Sequence, residues 1–152
     1  MKILVINGPN MNMLGIREPE IYGDQTYEDL IGFITDMRGE DSVAGHELDF
    51  YQSNHEGDII DAIQNAYFEK YDGIVLNAAA YTHTSIAIMD AVISVPIPVA
   101  EVHITDPWER EEYRHSSYVA EAAIATVAGK GFNGYLEAID KLEERYESLQ
   151  NK

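Results

Sequence analysis

Arg17 and Tyr22 stand in a stretch bounded by Gly15 and Gly23, and that pairing is the first chemical signal in the chain. A phenol titrates near ~10 in water. A guanidinium beside it favours the phenolate, so Tyr22 can serve as a general base. The two glycines let the backbone swing and close the pair over a ligand as a lid. The residue types alone leave a second use open, a tyrosine that only packs against its loop. Asn7, Asn10 and Asn12 lie in the same region.

A second polar cluster comprises Asn77, Tyr81, His83, Thr84 and Ser85. Thr82 or Thr84 could simply cap a helix. A histidine entering a helix start is of more interest, because the free N–H groups there attract carboxylates and phosphates. The third cluster holds Glu101, His103, Thr105, Arg110, Arg114 and His115. Glu101 precedes His103 by two residues on an apparent strand. Their side chains therefore share a face, and the carboxylate can orient the imidazole and raise its basicity. A structural histidine satisfied by its neighbour fits the same spacing. Arg17, Arg110 and Arg114 are three of the chain's five arginines, all in predicted strand-end loops of an acidic protein, which points to an anionic substrate. Pairing with Glu109, Glu111 and Glu112 could also account for Arg110.

Short β-branched runs alternate with stretches of helical period, the pattern of a parallel sheet covered by helices. Strands are expected at residues 2–7, 47–52, 73–77 and 97–102, with a short fifth at 116–119 followed by two helical stretches broken at 129–134. Thr26 and Asp29 form a capping-box-like start for a helix reaching Arg38, and Ser53 or Asn54 is expected to cap the next. Residues 8–25 make a loop too long for an ordinary connection, and loops of that length usually carry function. The order fits a flavodoxin-like doubly wound α/β fold, a five-stranded parallel sheet in three α/β/α layers. Its ligands bind at the carboxyl ends of the strands, and all three clusters fall on that edge.

At 152 residues the chain fits one domain, taken as residues 1–152. A net charge of −17 excludes the basic footprint of a nucleic-acid or anionic-membrane binder. Apolar residues at 45% leave ample material for a core. The absence of cysteine removes disulfides, thiolate metal sites and a cysteine nucleophile. The opening residues lack a signal-peptide core and nothing approaches a membrane span, so a cytoplasmic location is expected. Gly129, Gly131 and Gly134 match a dinucleotide fingerprint, but no preceding strand is expected there and too little chain follows for a βαβ unit. His55 and Glu56 lack the second histidine of a zinc-protease helix. No lysine falls in the three clusters, which leaves a Schiff-base mechanism without a nucleophile. Trp108 is read as packing.

Five ordered blocks give the chain a broader resemblance: VINGPNMNMLGIREPEIYG, QSNHEGDIIDAIQ, NAAAYTHTSIAIMDA, IPVAEVHITDPWEREEYRHSSY and GKGFNGYLEAI. Together they resemble the type II 3-dehydroquinate dehydratases over nearly the whole length. The resemblance implies a flavodoxin-like subunit assembled from trimers into a dodecamer, converting 3-dehydroquinate to 3-dehydroshikimate without metal or cofactor. It makes Tyr22 the acceptor of the C2 proton, with Arg17 lowering its pKa, and His103 the donor to the departing C1 hydroxyl. It assigns substrate binding to Asn77, His83, Ile104, Thr105 and Arg114, and a contribution across a subunit interface to Asp90. Asn10 and Glu101 match supporting positions, and Arg110 a motif arginine of structural or supporting role. Three stretches depart from the family pattern: Ala78-Ala79-Ala80, where a glycine is frequent; Thr105, where serine is usual; and Asp106-Pro107-Trp108, in place of an Asn-Ile-His type run.

Two other readings compete. One is a flavin carrier that cradles a phosphate in the Thr82–Ser85 turn; it would be coloured. The other is a metal-dependent lyase using His83, His103 and His115, although their spacing matches no defined metal motif; chelation would stop it.

Overall fold

A computed structural model describes residues 1–152. Strand β1 (Lys2–Asn7) alternates its side chains between two cores: Ile3 and Val5 face one side, Leu4 and Ile6 the other. The long excursion that follows contains a 3-10 turn (Met11–Met13) and the short helix α1 (Pro19–Tyr22), then leads into α2 (Tyr27–Arg38). The expected capping box is present: Thr26 Oγ1 accepts from Asp29 N–H, and the Asp29 carboxylate accepts from Thr26 N–H.

Next come β2 (Glu47–Gln52), α3 (Glu56–Phe68) and β3 (Gly73–Asn77). A 3-10 turn (Ala79–His83) precedes α4 (Ile86–Ser94), and β4 (Val99–His103) follows. Two further 3-10 turns (Pro107–Glu109 and Glu112–Arg114) lead to α5 (Tyr118–Ala122), β5 (Ala125–Ala128) and α6 (Asn133–Gln150).

All strand pairs are parallel, in the order β2-β1-β3-β4-β5. This is the flavodoxin-like order, with β1 and β3 adjacent at the switch point. Helices α2 and α6 cover one face, packing Leu30, Ile34, Ile139 and Leu142 against Val5, Val75 and Val102. The other face is covered by α3, α4 and α5 through Ile59, Ile63, Ile88, Val92 and Val119. The layers are therefore α/β/α. Where β1 and β3 end, Asn77 Nδ2 donates to the Tyr135 hydroxyl at 2.9 Å and that hydroxyl donates to Asn7 Oδ1. This buried chain ties α6 to the floor of the sheet's carboxyl edge.

Several sequence expectations need correction. The fifth strand is not at 116–119, because Ser117 is a helix N-cap whose Oγ accepts from Ala120 N–H. The strand lies instead at Ala125–Ala128, so a strand does precede the glycine fingerprint and α6 opens from it. The fourth strand begins at Val99, after Pro98, which has no N–H to give a ladder. Helix α4 is capped by Ser85 rather than Thr82 or Thr84. Before α3, Ser53 Oγ accepts from His55 N–H and donates to Asp58, while Asn54 turns away to accept from Asn10 N–H.

His46 is buried just before β2, where Arg38, Asp140, Glu143 and the Met1 amino group surround it. Burial, reinforced by the Met1 amino charge, holds the imidazole below its ordinary range against the pull of Glu143. The unfolded chain then takes up the proton more readily than the folded one. His46 costs no stability above its ordinary value of 6.5 and costs progressively more as pH falls from there through the depressed folded value. Urea midpoints at pH 7.5 and 5.5 should show a smaller acid loss in His46→Gln than in the parent. Since His83 shifts in the same sense, only the difference between the two proteins is read, and equal losses would contradict the assignment.

Candidate active site

The carboxyl ends of β1, β3 and β4 open into a cavity of about 150 Å³. Its lining includes Asn10, Arg17, Tyr22, Asn77, His83, His103, Ile104, Thr105, Arg110 and Arg114. Of the residues singled out by sequence, Glu101 lies buried behind His103, and Asp90 stands exposed on α4 outside the cavity. Asn7 belongs to the buried Tyr135 chain, Asn12 accepts from Gln52, and Tyr81 donates to the Asn54 carbonyl. His115 is not part of the lining either, so the three histidines of the metal reading do not converge.

One side of the cavity is made by two segments distant in sequence. Tyr22 closes α1, where Pro19 pre-sets the first turn, and Gly23 follows at φ 82, a backbone that favours glycine. Arg17 Nη2 donates to the Tyr22 hydroxyl at 3.1 Å, with its guanidinium 4.2 Å from the ring centroid. Arg110 Nη1 donates to the same oxygen at 2.7 Å. Two guanidiniums thus donate to one phenol oxygen. Arg110, given a structural or supporting role by the sequence, lines the cavity and bonds Tyr22, and its Nε stands 3.7 Å from Glu111.

The other side rests on β4. His103 Nε2 donates to Glu101 Oε1 at 2.7 Å; a carboxylate only accepts, which fixes the tautomer and leaves Nδ1 as the ring's other polar atom. Glu101 has no solvent exposure. It also accepts from Ser117 Oγ at the start of α5 and from Thr126 Oγ1 on β5, at 2.7 Å for the latter. Burial pushes the carboxyl up, but the hydrogen bond and charge of His103, with the two hydroxyls, outweigh it and hold Glu101 below the usual carboxylate range. Sequence reasoning missed Ser117, Thr126 and Tyr135. Thr126 becomes visible only once β5 is placed, since the ladder pairs it with Glu101.

Two more groups complete the wall. His83 Nδ1 donates to the Ser116 carbonyl at 2.7 Å, leaving Nε2 as an acceptor, and burial lowers its pKa against that bond. Arg114 is held by Glu111 at 2.9 Å; burial lowers its pKa, and the Glu111 bond and charge more than offset this, so it remains a fixed cation. Ala79, in the wall beside Asn77, adopts φ 52. Ala79 thus holds a left-handed backbone that favours glycine, at a cost of roughly 1–2 kcal/mol.

The fold and cavity define a class: a doubly wound α/β protein whose polar site sits at the β1/β3 switch point, with an arginine-held phenol and a carboxylate-held imidazole in one wall. Known proteins narrow it. A family model described as dehydroquinase class II matches residues 1–143. The 3-dehydroquinate dehydratase of Clostridium acetobutylicum is 57% identical, covering 94% of this chain and 96% of its own. That of Clostridium perfringens strain 13 is 51% identical, over 97% and 99%. The crystal structure of type II dehydroquinase from Butyrivibrio crossotus superposes with a TM-score of 0.89 at 52% identity, covering 94% of this chain and 97% of that one. The chain belongs to the class II dehydroquinase family.

Replacing Glu101 with Gln keeps an acceptor for His103 but removes the carboxylate charge beside it. Turnover of the family substrate should fall by at least about tenfold, part of the ~10²–10⁴ that a positioned acid supplies, with KM changed little. Steady-state kinetics on a variant shown to be folded would test this; an unchanged kcat would remove Glu101 from the acid's support.

Proposed function

We propose that this chain is a 3-dehydroquinate dehydratase acting in the shikimate pathway towards the aromatic amino acids. It eliminates water in the anti sense through an enolate. The observation that carries the mechanism is that one cavity wall holds both a phenol backed by two guanidiniums and an imidazole backed by a buried carboxylate.

Tyr22, as phenolate, takes the C2 proton, which lies beside the C3 ketone. The electron pair left behind makes the enolate, for which Asn10 or a water it holds is placed to donate hydrogen bonds. Collapse of the enolate forms the C1–C2 double bond and expels the C1 hydroxyl, which leaves as water with the Nδ1 proton of a doubly protonated His103, while Nε2–H stays on Glu101. Two groups of opposite character, each tuned by its own partner, suit such an elimination. Arg114, Asn77, His83, Thr105 and the Ile104 backbone hold the carboxylate and ring hydroxyls, with Thr105 keeping the hydroxyl of the usual serine. No lysine lines the cavity, so the carbonyl is activated in place and not as an imine. Neither a metal nor another cofactor enters these steps.

The working unit is one catalytic domain of residues 1–152, assembled as a dodecamer of four trimers. Asp90 supports this reading, because it stands exposed on α4 between exposed Ile86 and Ile93, a face suited to carry the carboxylate to a neighbouring subunit's site. The acidic, cysteine-free composition suits work in the cytoplasm, and no helix is long and apolar enough to cross a membrane.

Two experiments test these assignments. With chelator and borohydride in excess, 3-dehydroquinate should give rising ultraviolet absorbance from the conjugated enone, and Tyr22→Phe should reduce the rate by about 10²–10⁴. Substantial activity in the variant would refute Tyr22 as the base. Sedimentation should return a species of twelve subunits, with Asp90→Ala assembling normally but turning over more slowly. A fully active monomer would overturn both the assembly and the role of Asp90.

A further inference from the structure

The segment from Ile104 to Ser117 delivers Arg110 to the Tyr22 hydroxyl, yet its only regular elements are two three-residue 3-10 turns. Catalytic groups need placement to within about 0.5 Å, which an unsupported loop does not provide. Side chains make up the deficit. Asp106 Oδ1 accepts from Trp108 N–H at 2.9 Å and starts the first turn. The Trp108 indole Nε1 then donates forward to the His115 carbonyl at 3.1 Å. From there the His115 ring Nε2 donates back to the Arg110 carbonyl at 2.8 Å. The result is a closed circuit with Arg110 inside it. The chain's single tryptophan is 41% exposed, so core packing does not explain its position. Its ring stands perpendicular to His103, with centroids 6.3 Å apart.

We propose that Trp108 and His115 are a positioning pair, which clamps the strap around Arg110 and so holds that guanidinium on the Tyr22 hydroxyl. The proposal rests on the dehydratase reading for its kinetic consequence only. Trp108 lies in the stretch where this chain departs from the pattern of its family, and the brace depends on the indole N–H, which no other aromatic side chain supplies in the same place. Glu111, which bonds Arg114 and lies near Arg110, adds a second tie on the outer side of the strap.

Trp108→Phe keeps a ring and removes the donor; His115→Ala removes the return bond; and His115→Gln keeps a donor near the position of Nε2. A hydrogen bond of this kind is worth about 0.5–1.5 kcal/mol, so kcat should fall roughly two- to tenfold in Trp108→Phe and His115→Ala. KM should change less than kcat, because the return bond of His115 ends on the Arg110 carbonyl, whereas Arg114 has its own tie to Glu111. His115→Gln should recover most of the rate. In an Arg110→Lys background the Trp108→Phe effect should vanish, since the clamp then has no guanidinium to hold. A loss of the same size in that background, or no recovery with Gln, would show that the residues serve only the fold.

A readout independent of turnover separates this inference from the functional reading. The phenol-carbon resonance of Tyr22, assigned with Tyr22→Phe in tyrosine-labelled protein, should move in Trp108→Phe in the same direction as in Arg110→Lys. A moved resonance in a protein that does not dehydrate 3-dehydroquinate would keep the clamp and reject the substrate. An active protein in which neither kcat nor the resonance responds would reject the clamp.

Discussion

A carboxylate with no access to water has to be fully satisfied or the fold around it fails, and Glu101 imposes that condition on the carboxyl edge of the sheet. Removing one partner of such a buried pair typically costs about 3–5 kcal/mol. Its oxygens collect donors from three elements: the imidazole of β4, the Ser117 hydroxyl at the start of α5 and the Thr126 hydroxyl on β5. The residue that orients the proposed acid is thus also the one that fastens the outermost strand and the short helix to the site. Ser117 has two tasks, since the same hydroxyl caps α5.

A second buried polar link works beneath the cavity. The Tyr135 hydroxyl has no exposure and joins Asn77 to Asn7 where β1 and β3 run side by side. Burial raises the phenol's pKa well above its ordinary value, against the opposing effect of the Asn77 bond, so it remains a neutral relay. Asn77 Oδ1 meanwhile accepts from Ala79 N–H and holds the strained turn that carries Ala79 and, at its end, His83. The two asparagines differ in kind although sequence placed both in the polar clusters: Asn77 reaches the cavity and Asn7 does not.

Much of this was legible because it follows local rules. Alternating apolar runs placed four strands, and Thr26 with Asp29 marked the start of α2. The two-residue spacing of Glu101 and His103 foretold a shared face, which the 2.7 Å bond bears out. The errors have equally local causes. Ser117 followed by Tyr118 and Val119 has β-like composition but caps a helix, whereas Ala125–Ala128 lacks the bulk of a recognisable strand and is held at the sheet edge by its ladder with β4. The same weak signal conceals Thr126 and the strand that precedes the glycine-rich turn. The partners of Arg110 and Trp108 were beyond reach for a different reason: they are set by the path of an irregular strap, which no periodicity encodes. The resemblance to a family supplied the substrate, which spacing alone could not.

The proposed acid is part of the sheet, whereas the proposed base is assembled from two excursions that leave it. Arg17 and Tyr22 ride on one and Arg110 on the other. The seam between them runs through a single oxygen atom. If the excursions part to admit a ligand, the phenol loses at least one of its cations while the imidazole and its carboxylate stay paired. The proposed base therefore depends on how the two excursions sit against each other, and the proposed acid does not. In the structure both guanidiniums already stand on the phenol oxygen, so that one atom is what joins the two excursions.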